Sequence, residues 1–75
     1  MSQVFKSVFS GVLLEKHRKA RGMSRMELAR AIDFVVGPEM IGTYERKGTP
    51  PNVNVMLRIV HALKIKPQDL IDAKS

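Results

Sequence analysis

The chain has 75 residues, 44% of them apolar, with no cysteine and a formal net charge of +6. That length gives one domain over residues 1–75, with a core small enough that a second copy is an expected partner. The missing cysteines exclude disulfides and thiolate metal sites, and no apolar run is long enough to span a membrane.

No cleavage site precedes the first charge cluster, so no signal peptide is read and a cytoplasmic location is expected. Turn signals divide the chain into about five helical segments, and no strand alternation is read anywhere. The first segment runs from the N-terminal region to Arg21, with Val4, Phe5, Val8, Phe9, Val12 and Leu13 at helical spacing and Gly22 as its stop. Residues 1–10 then form a helical extension of helix one. Its apolar stripe is open between extra core and a surface for a second copy or another protein.

Positive charge gathers where the first segment meets the second. Lys16, Arg18, Lys19, Arg21, Arg25 and Arg30 face only Glu27 in that stretch, which points to a polyanionic partner. The second segment opens at Ser24, whose Ser-x-x-Glu spacing to Glu27 makes a capping box, with Met23 and Leu28 placed as a hydrophobic staple. The third opens at Gly37-Pro38, proline suiting the first turn of a helix, turns Ile41 and Tyr44 inward, and stops at Gly48. The fourth follows Asn52, a good N-cap, with Val53, Met56, Leu57, Val60 and Leu63 as its buried stripe. The fifth is short, begins at Pro67, and closes the core with Leu70 and Ile71.

Three stretches, "HRKARGMSRMELARAI", "YERKGTPPN" and "MLRIVHALKIKPQDLI", together resemble the Cro/phage-repressor (XRE-type, lambda-repressor-like) helix-turn-helix family, over about Gly11 to Ile71. The resemblance implies an all-α, five-helix DNA-binding domain. Helices 2 and 3, residues 24–46, would form the helix-turn-helix, and the third helix would lie in the major groove of double-stranded DNA. It implies a homodimer at two-fold-related sites and a role in transcription regulation, as a repressor. By family position Arg18 and Glu45 match an ion pair that pins the third helix to the scaffold, an arrangement that suits the arginine fork. Arg25, together with the start of helix two, and Arg46 and Lys47 match positions that meet phosphate. Pro38, Glu39, Gly42 and Thr43 would face the bases.

Two departures qualify this. The turn at 33–37 is longer than the family's, and "DFVVGP" brings Phe34, Val35 and Val36 into it. Helix two can run on a further half turn with one or two of these in the core; any left exposed would form an apolar patch of the kind that marks a partner. The third helix also offers few bidentate base contacts: Glu39 can accept from a cytosine amino group, Thr43 can touch a thymine methyl, and Gly42 only permits close approach. Specificity then leans on DNA shape and phosphate contacts. The alternative is a helix-turn-helix module that binds protein, as an antiactivator or antitoxin-like adaptor, and a second regulatory protein is a possible partner of either. His17 is expected to be packed and His61 solvent-facing. The two do not make a metal site. With no catalytic triad, paired acids or phosphate-cradling glycine loop, neither an enzyme nor a cofactor is expected.

Overall fold

The computed structural model describes residues 6–74. In chain order these form β1 (Lys6–Phe9), α1 (Gly11–Ala20), α2 (Arg25–Ala31), α3 (Pro38–Lys47), α4 (Val53–Leu63), a 3-10 turn (Pro67–Leu70) and β2 (Ile71–Lys74). The five-helix, all-α expectation is therefore corrected to four α-helices, one 3-10 turn and an antiparallel two-stranded ribbon. The proposed fifth helix is only the four-residue turn, begun by Pro67 and held by the Asp69 carboxylate, which accepts from the Lys66 N–H at 2.9 Å. Beyond it the backbone of Ile71–Lys74 hydrogen-bonds to β1 instead of continuing a helix.

The N-terminal helical extension is corrected for the same reason. Lys6–Phe9 is extended, with Phe9 opposite Ile71 and Val8 opposite Asp72. Val4 and Phe5 lie outside the described residues. Helix α1 starts only at Gly11, because the Ser10 hydroxyl accepts from the Leu13 N–H at 3.1 Å and the Ser10 N–H is donated to the Leu70 carbonyl at 2.8 Å. It ends at a left-handed Gly22, with the Gly22 and Met23 N–H groups returning to the Lys19 and Arg18 carbonyls.

The capping box of α2 is complete. The Ser24 hydroxyl accepts from the Glu27 N–H at 3.0 Å, and the Glu27 carboxylate accepts from the Ser24 N–H at 2.8 Å. That backbone hydrogen bond, followed by the one to the Ser24 side chain, holds the Glu27 carboxyl below its usual pKa. Ser24→Ala should cost about 1 kcal/mol, read as a lowered melting temperature with the helical circular dichroism at low temperature unchanged.

Helix α2 does not run on beyond Ala31. Asp33 and Phe34 take the left-handed conformation at φ 58° and 55°, and their N–H groups close on the Arg30 and Ala29 carbonyls at 3.0 and 2.8 Å. This six-to-one and five-to-two pattern ends a helix, with aspartate standing where glycine is usual. Of the three apolar residues that follow Asp33, Val36 packs against the core, while Phe34 and Val35 stay 51% and 43% exposed.

Gly37 and Pro38 begin α3, and a left-handed Gly48 ends it. The Asn52 side chain caps α4 by accepting from the Val55 N–H at 2.9 Å. The buried stripe of α4 is Val55, Ile59, Val60 and Leu63, with Met56 half-buried at its margin. Val53 and Leu57, expected inside, are 72% and 51% exposed. Apolar residues surround most of this helix, so spacing alone permits two stripes, and packing against α2 and the 3-10 turn selects the second. The core gathers Leu14, Leu28, Ile32, Ile41, Ile59, Leu63 and Leu70, all fully enclosed. His17 is half-buried and His61 exposed.

Candidate nucleic-acid interface

Helix α3 has an inner face locked to the rest of the fold and an outer face left open. Ile41 and Tyr44 are buried on the inner side. Phe9 meets the Tyr44 ring edge-on, with centroids 6.4 Å apart and planes at 78°, so the ribbon is tied to α3 through an aromatic pair. Gly11 opens α1 directly against the α3 backbone: a Cβ there would collide with the Tyr44 and Glu45 carbonyl oxygens. Sequence reasoning missed both contacts. The only local sign of the second is the Ser10-Gly11 pair, a cap followed by the smallest residue.

The strongest tie is ionic. Arg18 on α1 donates through Nε to Glu45 Oε2 at 2.6 Å and through Nη2 to Oε1 at 3.1 Å, while its Nη1 donates to the Met23 carbonyl at 2.7 Å. The Arg18 and Glu45 side chains are 8% and 1% exposed. The hydrogen bond to Glu45 is the main cause of a raised Arg18 pKa, so the guanidinium keeps its charge. Arg25, the first residue of α2, adds a third link by donating through Nε to Glu45 Oε1 at 3.0 Å. One buried carboxylate thus connects α1, α2 and α3, and no buried side-chain polar atom among the described residues lacks a partner.

On the outer side, Glu39, Arg46 and Lys47 are exposed, Met40 is 45% exposed, and Pro38 and Thr43 are half-buried. The Thr43 hydroxyl donates back to the Glu39 carbonyl at 3.2 Å, so its donor is taken while its methyl group and lone pairs remain for an outside contact. Glu39 folds back over the start of its own helix: its Oε1 lies 3.0 Å from where a Gly37 Cβ would stand, a placement favoured by the positive end of the helix dipole. Gly42 is buried, its space occupied by the guanidinium tips of Arg25 and Arg46. Of the residues singled out from the sequence, Arg25, Gly42 and Arg46 therefore come together at one spot, with Glu39 and Thr43 one turn apart on the open face. Phe34 and Val35 stand on the preceding turn. Among the described residues no group of His, Asp or Glu side chains is placed to hold a metal ion, and no helix is long and apolar enough to cross a membrane.

The fold is similar to that of solved structures. The restriction-modification controller protein C.AhdI from Aeromonas hydrophila superposes with a TM-score of 0.71 at 28% identity, over 80% of this chain and 84% of that one. The P22 c2 repressor in complex with synthetic operator 9T gives 0.72 at 27% identity, over 80% and 88%. The clp gene regulator ClgR from C. glutamicum gives 0.68 at 27%, over 80% and 75%. No curated protein matches the chain significantly. The family model described as helix-turn-helix matches residues 14–70, a span that takes in the capped α2, the turn, α3 with its Glu45 anchor and all of α4, and the chain belongs to that family.

Proposed function

We propose that this chain is a small DNA-binding transcriptional regulator, a repressor, that binds two-fold-related sites as a dimer and presents α3 to the major groove. The observation that carries the reading is the division of α3: its inner face is fixed by Glu45 to two other helices, while its outer face holds Glu39, Thr43, Arg46 and Lys47. A reading helix must be held rigidly and must expose its other side. Family membership and the likeness to a repressor solved with its operator support the same reading. In it, Arg25, Arg46 and Lys47 meet phosphates, while Pro38, Glu39 and Thr43 lie nearest the bases and Gly42, placed among them by family position, sits beneath the Arg25 and Arg46 tips. The base contacts are sparse, so DNA shape contributes to selection. The chain is not an enzyme in this reading, works in the cytoplasm, and pairs with a second copy because a single small module touches only one half-site.

A second reading rests on Phe34 and Val35, exposed on a turn whose left-handed Phe34 is an unusual conformation for a bulky residue. It makes this turn a docking point for a second regulatory protein. Selection of bound fragments from a random DNA pool at physiological salt, beside a Thr43→Ala, Arg46→Ala double variant, separates the two. A two-fold-symmetric motif that the double variant loses is the expected result. Motif-free binding with wild-type strength in the variant would remove the sequence-reading role and favour the protein partner.

A further inference from the structure

We infer that Gly42, Arg25 and Arg46 form a built niche for a single phosphodiester, with Gly42 as its floor; the inference rests on the DNA-binding reading above. Glycine is a poor residue for the middle of a helix, and α3 carries it there without a backbone need, since Gly42 has no positive φ. Its value lies in what occupies the missing side chain's place. A Cβ on Gly42 would stand 2.8 Å from Arg46 Nη1, 3.1 Å from Arg25 Nη1 and 3.4 Å from Arg25 Cζ. Those three atoms are the nearest neighbours, and all belong to the far ends of flexible side chains. Core packing therefore does not demand the glycine.

Two guanidiniums from different helices thus converge on one point. Like charges at such separation repel, and the nearby carboxylates do not balance them. Glu45 is already shared, giving both oxygens to Arg18 and Oε1 again to Arg25. Glu15, whose charge also acts on Arg18 and Arg25, is paired with Lys19 at 2.9 Å. Four cations, Arg18, Lys19, Arg25 and Arg46, therefore share two carboxylates, and positive charge is left over. The Glu45 contact uses the Arg25 Nε, while Arg25 Nη1 stands beside the same Gly42 position as Arg46 Nη1. Convergent N–H donors with surplus positive charge suit an anion that has two or more oxygens on one centre, which is the geometry of a phosphodiester. Any side chain at 42 would push the two tips apart.

The test uses the full chain, the Gly42→Ala variant, inorganic phosphate and a duplex. Side-chain Nε–H resonances of the arginines are followed by NMR as phosphate is added. The expected result is a saturable shift of Arg25 and Arg46 in the wild type, absent in Gly42→Ala, with Arg30 and Arg58 unmoved in both. Gly42→Ala should melt no lower than wild type, and its plot of log affinity for DNA against log salt should be shallower by about 0.9 per protomer, the loss of one phosphate contact. Equal shifts in wild type and variant, no shift in either, or an unchanged salt slope would overturn the niche. A variant that melts well below wild type would also overturn it, because the space would then be needed for packing. If the wild type binds no DNA yet shows the phosphate shifts and the variant does not, the anion niche stands and the DNA reading falls.

Discussion

Glu45→Ala should be the most damaging single substitution in this chain. Removing one partner of a buried ion pair costs about 3–5 kcal/mol, because the remaining charge stays buried without compensation. Arg18 keeps one acceptor, the Met23 carbonyl, so the lower end of that range is expected. The Arg25 link adds little, since its side chain is 35% exposed. In a domain of this size each kcal/mol moves the melting temperature by roughly 4–8 °C, so the variant should melt well over ten degrees below wild type. Glu45→Gln keeps the acceptor and should lose less. The same substitution frees α3 from α1 and α2 at once, so DNA affinity should fall even at temperatures where the variant stays folded. A thermal melt within two or three degrees of wild type would show that the cluster does not hold the fold together.

What the sequence makes legible follows from the range of each interaction. Ser24 with Glu27, Gly22, Gly37-Pro38 and Asn52 are local devices, complete within one turn of chain, and each ends or begins a helix where its chemistry demands. The ribbon is not local. Val4-Phe5 and Val8-Phe9 repeat at a spacing that fits a helical face, and β-branched and aromatic residues also favour strands. Only pairing with Ile71–Lys74 at the other end of the chain decides the matter. The stripe of α4 fails for a related reason. With apolar residues at 53, 55, 56, 57, 59, 60, 62 and 63, the buried side is chosen by its neighbours in space.

The candidate site divides along the same line. Arg18 and Glu45 are readable because the family pattern names both positions. That Arg25 also reaches Glu45, and that its tip shares the space above Gly42 with Arg46, depends on how α2 and α3 cross, which no spacing encodes. The left-handed pair at Asp33 and Phe34 is likewise invisible beforehand: apolar residues in the turn suggest a longer helix, whereas the backbone closes it early and leaves Phe34 outside.

DNA affinity should fall about a hundredfold between 50 and 200 mM salt if two protomers each place Lys47 on one phosphate and the Arg25–Arg46 pair on another. The reason is counterion release: each neutralised phosphate contributes about 0.9 to the slope of log affinity against log salt, so four phosphates give a slope of about −3.6. A single protomer with two phosphates gives roughly half that slope and a loss of about tenfold over the same range. The slope therefore counts protomers on the DNA as well as contacts. Arg46→Ala dismantles the phosphate site shared with Arg25 in each protomer and should make a dimer's slope shallower by about 1.8, lowering affinity on matched and unmatched duplexes alike. Thr43→Ala should do the reverse, weakening the matched duplex and leaving the slope in place, because Thr43 carries no charge. Filter binding or fluorescence anisotropy at four salt concentrations measures both. A slope near zero would mean that Arg25, Arg46 and Lys47 meet no phosphate, and the outer face of α3 would then have to be read as a surface for protein.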